Sequence, residues 1–150
     1  MTNPEFIELA KQAATAHGLD PVLVCAVVEQ ESGWNPWAVR WEPAFFMRYV
    51  QSIKNLSPTE AETRAFSWGL MQLMGQVARE HGFANTYLAS LCDPATGLDW
   101  GCLHLKARID FAGGDITKGL QFWNGGGNPN YATEVLARMP KYSTPQSTGT

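Results

Sequence analysis

Glu31 stands just beyond an apolar run, Val22-Leu23-Val24-Cys25-Ala26-Val27-Val28, and is followed by Ser32 and Gly33. A carboxyl group held against apolar side chains resists ionisation, because burial disfavours the charged form. If the run is a helix, Val24, Val27, Val28 and Glu31 share one face. Glu31 then also meets the negative end of the helix dipole. Both effects give an acid that keeps its proton near neutral pH, which is what protonating the leaving oxygen of a glycosidic bond demands. Glu29 shares a face with Val22 and Cys25, so periodicity alone does not choose between the two acids. The plain alternative for either is a solvated charge at a fraying helix end.

Two further segments hold side chains suited to binding a polar polymer. In Gly69-Leu70-Met71-Gln72-Leu73-Met74, Gln72 lies between residues that read as core, where an unpaired amide is costly. In Trp123-Asn124-Gly125-Gly126-Gly127, Trp123 offers a flat apolar face and Asn124 an amide, although the same residues also suit a simple turn. There are six tryptophans. Trp34, Trp37, Trp41 and Trp68 gather near the first two segments; one or two are expected at a sugar groove and the rest in packing.

The elements that must position these residues read as helices. Asn3-Pro4, Asp20-Pro21, Ser57-Pro58 and Asp93-Pro94 each combine an N-cap residue with proline at the first helical position. They predict helices ending at Gly18 and Gly33, one with a capping box at Ser57 and Glu60, and one carrying Leu98, Cys102, Leu105 and Ile109 in phase to Gly113-Gly114. Further helices are predicted after Glu42-Pro43 (through Phe45, Phe46, Tyr49 and Ile53), from Gly69 to His81, from Asp115 to Trp123, and from Tyr131 to Met139. Residues 35–41 read as a loop, and strand alternation is nearly absent. The fold class is therefore all-α, one domain over residues 1–141, with a loose Ser/Thr/Gly/Pro tail at 142–150.

The net charge of −3 argues against a nucleic-acid binder. No apolar run is long enough for membrane insertion. The polar, acidic start at Thr2-Asn3-Pro4-Glu5 does not read as a signal peptide, so synthesis in the cytoplasm is expected. Three cysteines, Cys25, Cys92 and Cys102, and three histidines show no metal-ligand spacing. A Cys92–Cys102 bridge stays open, with reduced, buried thiols the preferred reading. No metal and no organic cofactor are expected.

In this order, Glu31-Ser32, Gly69-Leu70-Met71-Gln72 and Trp123-Asn124-Gly125-Gly126 resemble the motif set of the lytic transglycosylase (SLT, goose-type-lysozyme-like) family, over about residues 5 to 139. The resemblance implies a lysozyme-like helical domain with a substrate groove between two lobes, acting on peptidoglycan glycan strands as a monomer. It selects Glu31 over Glu29 as the catalytic acid. It also implies substrate contacts from Ser32, Ser67, the backbone around Met71, Gln72, Trp123, Asn124 and Tyr131. Trp123 departs from the pattern, which has Tyr before the Asn. Ser67-Trp68 and Met74-Gly75 look most like the phage-encoded branch, which implies a holin-released endolysin or virion-associated lysin acting at the cell wall. A bacterial enzyme exported by a dedicated machine is the runner-up.

The family resemblance favours transglycosylation, with a 1,6-anhydro product, over hydrolysis. A muramidase would need a second carboxylate to position water. Glu42, Glu60, Glu62 and Asp99 are the candidates for it, and Glu42, in Arg40-Trp41-Glu42-Pro43, is foremost among them, against a salt-bridged surface role. A non-catalytic wall-binding phage protein is the remaining alternative.

Overall fold

The computed structural model describes residues 4–143; the expected N-cap at Asn3 and residues 144–150 lie outside them. Helix α1 runs Pro4–Ala16 and α2 Pro21–Ser32. Asp20 caps α2 by accepting a hydrogen bond from the Val22 N–H at 2.8 Å. Gly33 closes α2 in a left-handed conformation, φ 57°, with its N–H on the Glu29 carbonyl. The six residues Leu23–Val28 of α2 are all buried. A β-branched run of this kind would suit a strand equally well in isolation. It is helical here because α1 and the later helices at Pro94–Phe111, Ile116–Asn124 and Tyr131–Arg138 supply apolar partners in one core cluster around it.

The structure corrects the strand expectation. Val39–Trp41 (β1), Phe66–Trp68 (β2) and Leu73–Met74 (β3) form a small antiparallel sheet in the order β1-β2-β3. Its register pairs Val39 with Trp68, Arg40 with Ser67 and Ser67 with Met74. Strands of two or three residues are too short to display alternation, which is why 35–41 read as loop. The helix expected from Gly69 to His81 is α5, Gly75–Glu80. Gly69 at φ 71° and Gln72 at φ 52° turn the chain left-handed before it, and β3 then pairs with β2. The helix after Glu42 is brief: α3, Pro43–Phe45, passes into a π-helical turn at Phe46–Val50 that stops short of Ile53.

The remaining helices fall close to their signals. Helix α4 is Pro58–Arg64, with the Ser57 hydroxyl accepting from the Glu60 N–H. The Glu60 side chain does not complete a reciprocal box. It takes Arg79 and Arg64 instead, and these cations hold its carboxyl below the ordinary range. A 3₁₀ turn at Leu88–Cys92 leads into α6, Pro94–Phe111, where Leu98, Cys102, Leu105 and Ile109 are buried as their phase predicts. Helix α7 is Ile116–Asn124 and α8 Tyr131–Arg138. The chain stays helical through α9, Pro140–Ser143, so the expected domain boundary at Lys141 falls inside a helix. Tyr142 packs against the main core, and its hydroxyl accepts from Trp34 Nε1 at 2.9 Å.

A second, smaller cluster gathers the sheet, α5 and the 3₁₀ turn around Trp68, Leu73, Phe83 and Leu91. The segment 68–74 joins the two clusters, since Leu70 and Met71 belong to the larger one. Gly101 on α6 is what lets this segment approach. A Cβ there would lie 2.5 Å from Met71 Sδ and 2.9 Å from Met71 Cβ. Gly101→Ala should therefore cost about 1–3 kcal/mol by overpacking, read as a lower melting temperature. An unchanged midpoint would mean that Met71 repacks freely. All three cysteines are free and buried. No described helix is long and apolar enough to cross a membrane.

Candidate active site

The side chain of Glu31, in the last turn of α2, is partly buried and meets the ends of two other helices. Tyr131, the first residue of α8, donates its hydroxyl proton to Glu31 Oε1 at 2.6 Å. Trp123, in the last turn of α7, donates its indole N–H to the same oxygen at 3.3 Å. Oε2 receives no hydrogen bond from the described residues, and it is not among their buried unpartnered polar atoms, where Arg108 Nε stands alone. Burial pushes the Glu31 carboxyl above its ordinary value; the Tyr131 and Trp123 donors and the nearby Arg40 charge pull it down, and burial prevails. Tyr131, itself buried beside Glu31, is held firmly protonated and so keeps the proton that it donates to Oε1.

Glu29 has the opposite environment. Burial would raise its carboxyl, but Lys141 at 2.5 Å, the Tyr142 hydroxyl and Arg138 at 2.8 Å outweigh it and keep it ionised. It fastens α9 and the end of α8 to α2. The two acids that periodicity left equal are thus separated by the partners that α8 and α9 supply.

A wall beside this acid is built by hydrogen bonds. Ser32 Oγ lies 2.8 Å from the Leu70 carbonyl and 3.2 Å from that of Val28. This hydroxyl ties the end of α2 to the turn at 69–72. Gln72 uses its whole amide: Nε2 donates to the carbonyls of Ala38 at 2.8 Å and Gly69 at 2.9 Å, and Oε1 accepts from the Ser67 hydroxyl at 2.8 Å. The fixed amide also explains how a non-glycine residue holds a positive φ. Ser67 is buried and Met71 wholly so, backbone included, so Met71 lies behind the wall and Gln72 is its partly exposed member.

Asn124 Oδ1 accepts from the Asn128 N–H at 2.9 Å, ordering the glycine-rich loop between Trp123 and Tyr131. Glu42 pairs with Arg40 at 3.0 Å and caps α3 through its backbone, with the side chain about one-third exposed. Of the tryptophans, Trp34 and Trp68 are core; Trp37 and Trp41 are exposed. A separate hollow of about 400 Å³, bordered by Trp37, Cys92, Asp93 and Pro94, does not include Glu31. No group of His, Cys, Asp and Glu among the described residues could hold a metal ion.

Two contributors escaped sequence reasoning. Arg40 stands opposite Ser67 in the sheet and acts electrostatically on Glu31. Its neighbour Glu42 drew attention instead, and no local signal marks Arg40. His104, on α6, lies against the Trp123 ring at a centroid distance of 5.4 Å; its helical phase next to Leu105 gave no sign of it.

Together the residues make an acid with a raised proton affinity, one oxygen held by two donors and the other open, beside a rigid polar wall. That arrangement can deliver a proton and take one back. The model of one family, the transglycosylase SLT domain, matches residues 8–140. No solved structure matches the chain.

Proposed function

The chain belongs to the transglycosylase SLT domain family, whose members are peptidoglycan lytic transglycosylases, and from that premise we propose that Glu31 is the single acid and base of the reaction. The observation that carries the proposal is the convergence of Tyr131 and Trp123 on Glu31 Oε1, which leaves Oε2 open to carry the transferred proton. Glu31 donates this proton to the oxygen between MurNAc and GlcNAc, and the MurNAc C1–O bond breaks as positive charge develops on the ring. The carboxylate formed is stabilised by the two donors, whose bonds strengthen on a charged acceptor. It then removes the proton from the 6-hydroxyl of the same MurNAc, whose oxygen bonds to C1 and closes a 1,6-anhydro ring. Glu31 regains its proton, and no water is consumed.

The groups that act on Glu31 are Tyr131, Trp123 and Arg40, with no carboxylate among them. The best second candidate, Glu42, is paired with Arg40. This supports the one-acid route over hydrolysis. In the same reading Gln72 forms the wall against which the sugar rests, with the Met71 backbone behind it, Trp123 and Asn124 line the opposite side, and Ser32 and Ser67 hold the wall in place. Ser67-Trp68 and Met74-Gly75 support a phage-encoded lysin delivered to the cell wall by a holin or a virion.

Mass spectrometry of muropeptides released from purified sacculi tests the product. The expected species lack the mass of one water relative to reducing-end products. A release made up of reducing-end MurNAc would replace this mechanism with hydrolysis.

A further inference from the structure

Trp123 is the weaker of the two donors to Glu31 and the more delicately held. Its N–H bond is long, at 3.3 Å. It sits in the last turn of α7, with only Asn124 between it and the left-handed Gly125 and Gly126 of an exposed loop. A small tilt of the indole would break the bond, since hydrogen bonds weaken steeply with distance and angle. Something outside the glycine loop has to set the ring.

His104 supplies the contact. It projects from the middle of α6, a helix with one buried face, and its ring meets that of Trp123 at 41°. Its Nδ1 shares a 2.8 Å hydrogen bond with Nε2 of His81, which follows α5. We infer that His104 is a positioning residue: its ring, fixed by His81, braces the indole of Trp123 so that the N–H stays on Glu31. The inference rests on the reading of Glu31 as the acid. Burial, with the charges of His81 and Arg108, pushes His104 down to about 4, so its ring is neutral at working pH. That neutrality spares Glu31 a second cation beside Arg40. The charged and titratable groups facing the chain of contacts are Arg40 and Tyr131 at Glu31, and His81, Arg108 and Glu80 at the histidine end.

The test compares pH profiles of kcat/KM, and kcat and KM separately, for H104A, H104F, W123F and H104A/W123F on sacculi, with E31Q as reference. The alkaline limb reports loss of the Glu31 proton, and removing a donor to the carboxylate raises that pKa. H104A is expected to move the limb upward and lower kcat about three- to tenfold with KM nearly unchanged. H104F, which keeps a ring against the indole, restores both. The double variant matches W123F alone, because no indole N–H is left for His104 to hold on Glu31. H104Q keeps the bond to His81 and removes the ring, and answers the same question should H104A not fold. A wild-type alkaline limb in H104A or H104Q overturns the inference. So does a double variant whose loss is the product of the two single losses. Failure of the underlying reading has a different signature: E31Q stays active and W123F leaves the limb in place.

Discussion

Glu31→Gln abolishes turbidity loss in sacculus suspensions, lowering kcat by about 10³-fold or more, and leaves a folded protein. Gln keeps the shape of the side chain and an oxygen for Tyr131 and Trp123, but has no proton to donate and cannot accept one from the 6-hydroxyl. Stability shows the effect from the other side. Burial raises the folded-state pKa of Glu31 above its ordinary value. The folded protein therefore binds the proton more tightly than the unfolded chain, and stability falls as pH rises through the folded pKa. The variant lacks this titration. Its melting temperature should equal or exceed the wild type at neutral and alkaline pH, and the two curves should converge in acid. Full lytic activity in this variant would remove Glu31 from the chemistry. An unchanged stability difference across pH would show that its carboxyl is not perturbed by the fold.

Tyr131→Phe should give the second-largest loss, about 10- to 100-fold in kcat, the range for a hydrogen bond to a charged group. The ring is buried at 3 % exposure and its packing survives the change. What is removed is the 2.6 Å O–H donor to Oε1. That donor matters most after Glu31 has released its proton, so the loss falls on kcat and spares KM. With one pull removed, the Glu31 pKa rises further and the alkaline limb of the pH profile moves up. A variant slowed equally at all pH values, with an unmoved limb, would assign Tyr131 to substrate positioning and not to the acid.

The helices were legible where capping chemistry is local. Asp20-Pro21 and Asp93-Pro94 each start a helix because one carboxylate reaches a backbone N–H two or three residues on. The apolar phase of Leu98, Cys102, Leu105 and Ile109 then says which side of α6 is buried. The turn at 69–72 was not legible. Leu70, Leu73 and Met74 have helical spacing, but the turn holding the left-handed Gly69 and Gln72 is fixed largely by partners far away in sequence, Ala38 and Ser32, with Ser67 adding a nearer bond. The same holds for the acid. An apolar run ending in Glu31 pointed to a perturbed carboxyl, yet Glu29 was separated from it only by Lys141, Arg138 and Tyr142, about a hundred residues on. Trp123 posed a related problem, since it brings no phenol to the acid. The phenol beside Glu31 comes from Tyr131, one helix start later. Sequence spacing names the residues that converge, but long-range contact decides which atom of each is used.

The three sulfhydryls bear on how such an enzyme can be held in check. Each is unpaired, and burial pushes Cys25 up to about 11, Cys102 up to about 12 and Cys92 above its ordinary value. Thiolate, the form that oxidants and disulfides attack, is therefore scarce at all three. No disulfide joins them, so the described fold does not draw on one. A latch made by oxidising these cysteines would have to work against the burial that keeps them as thiols.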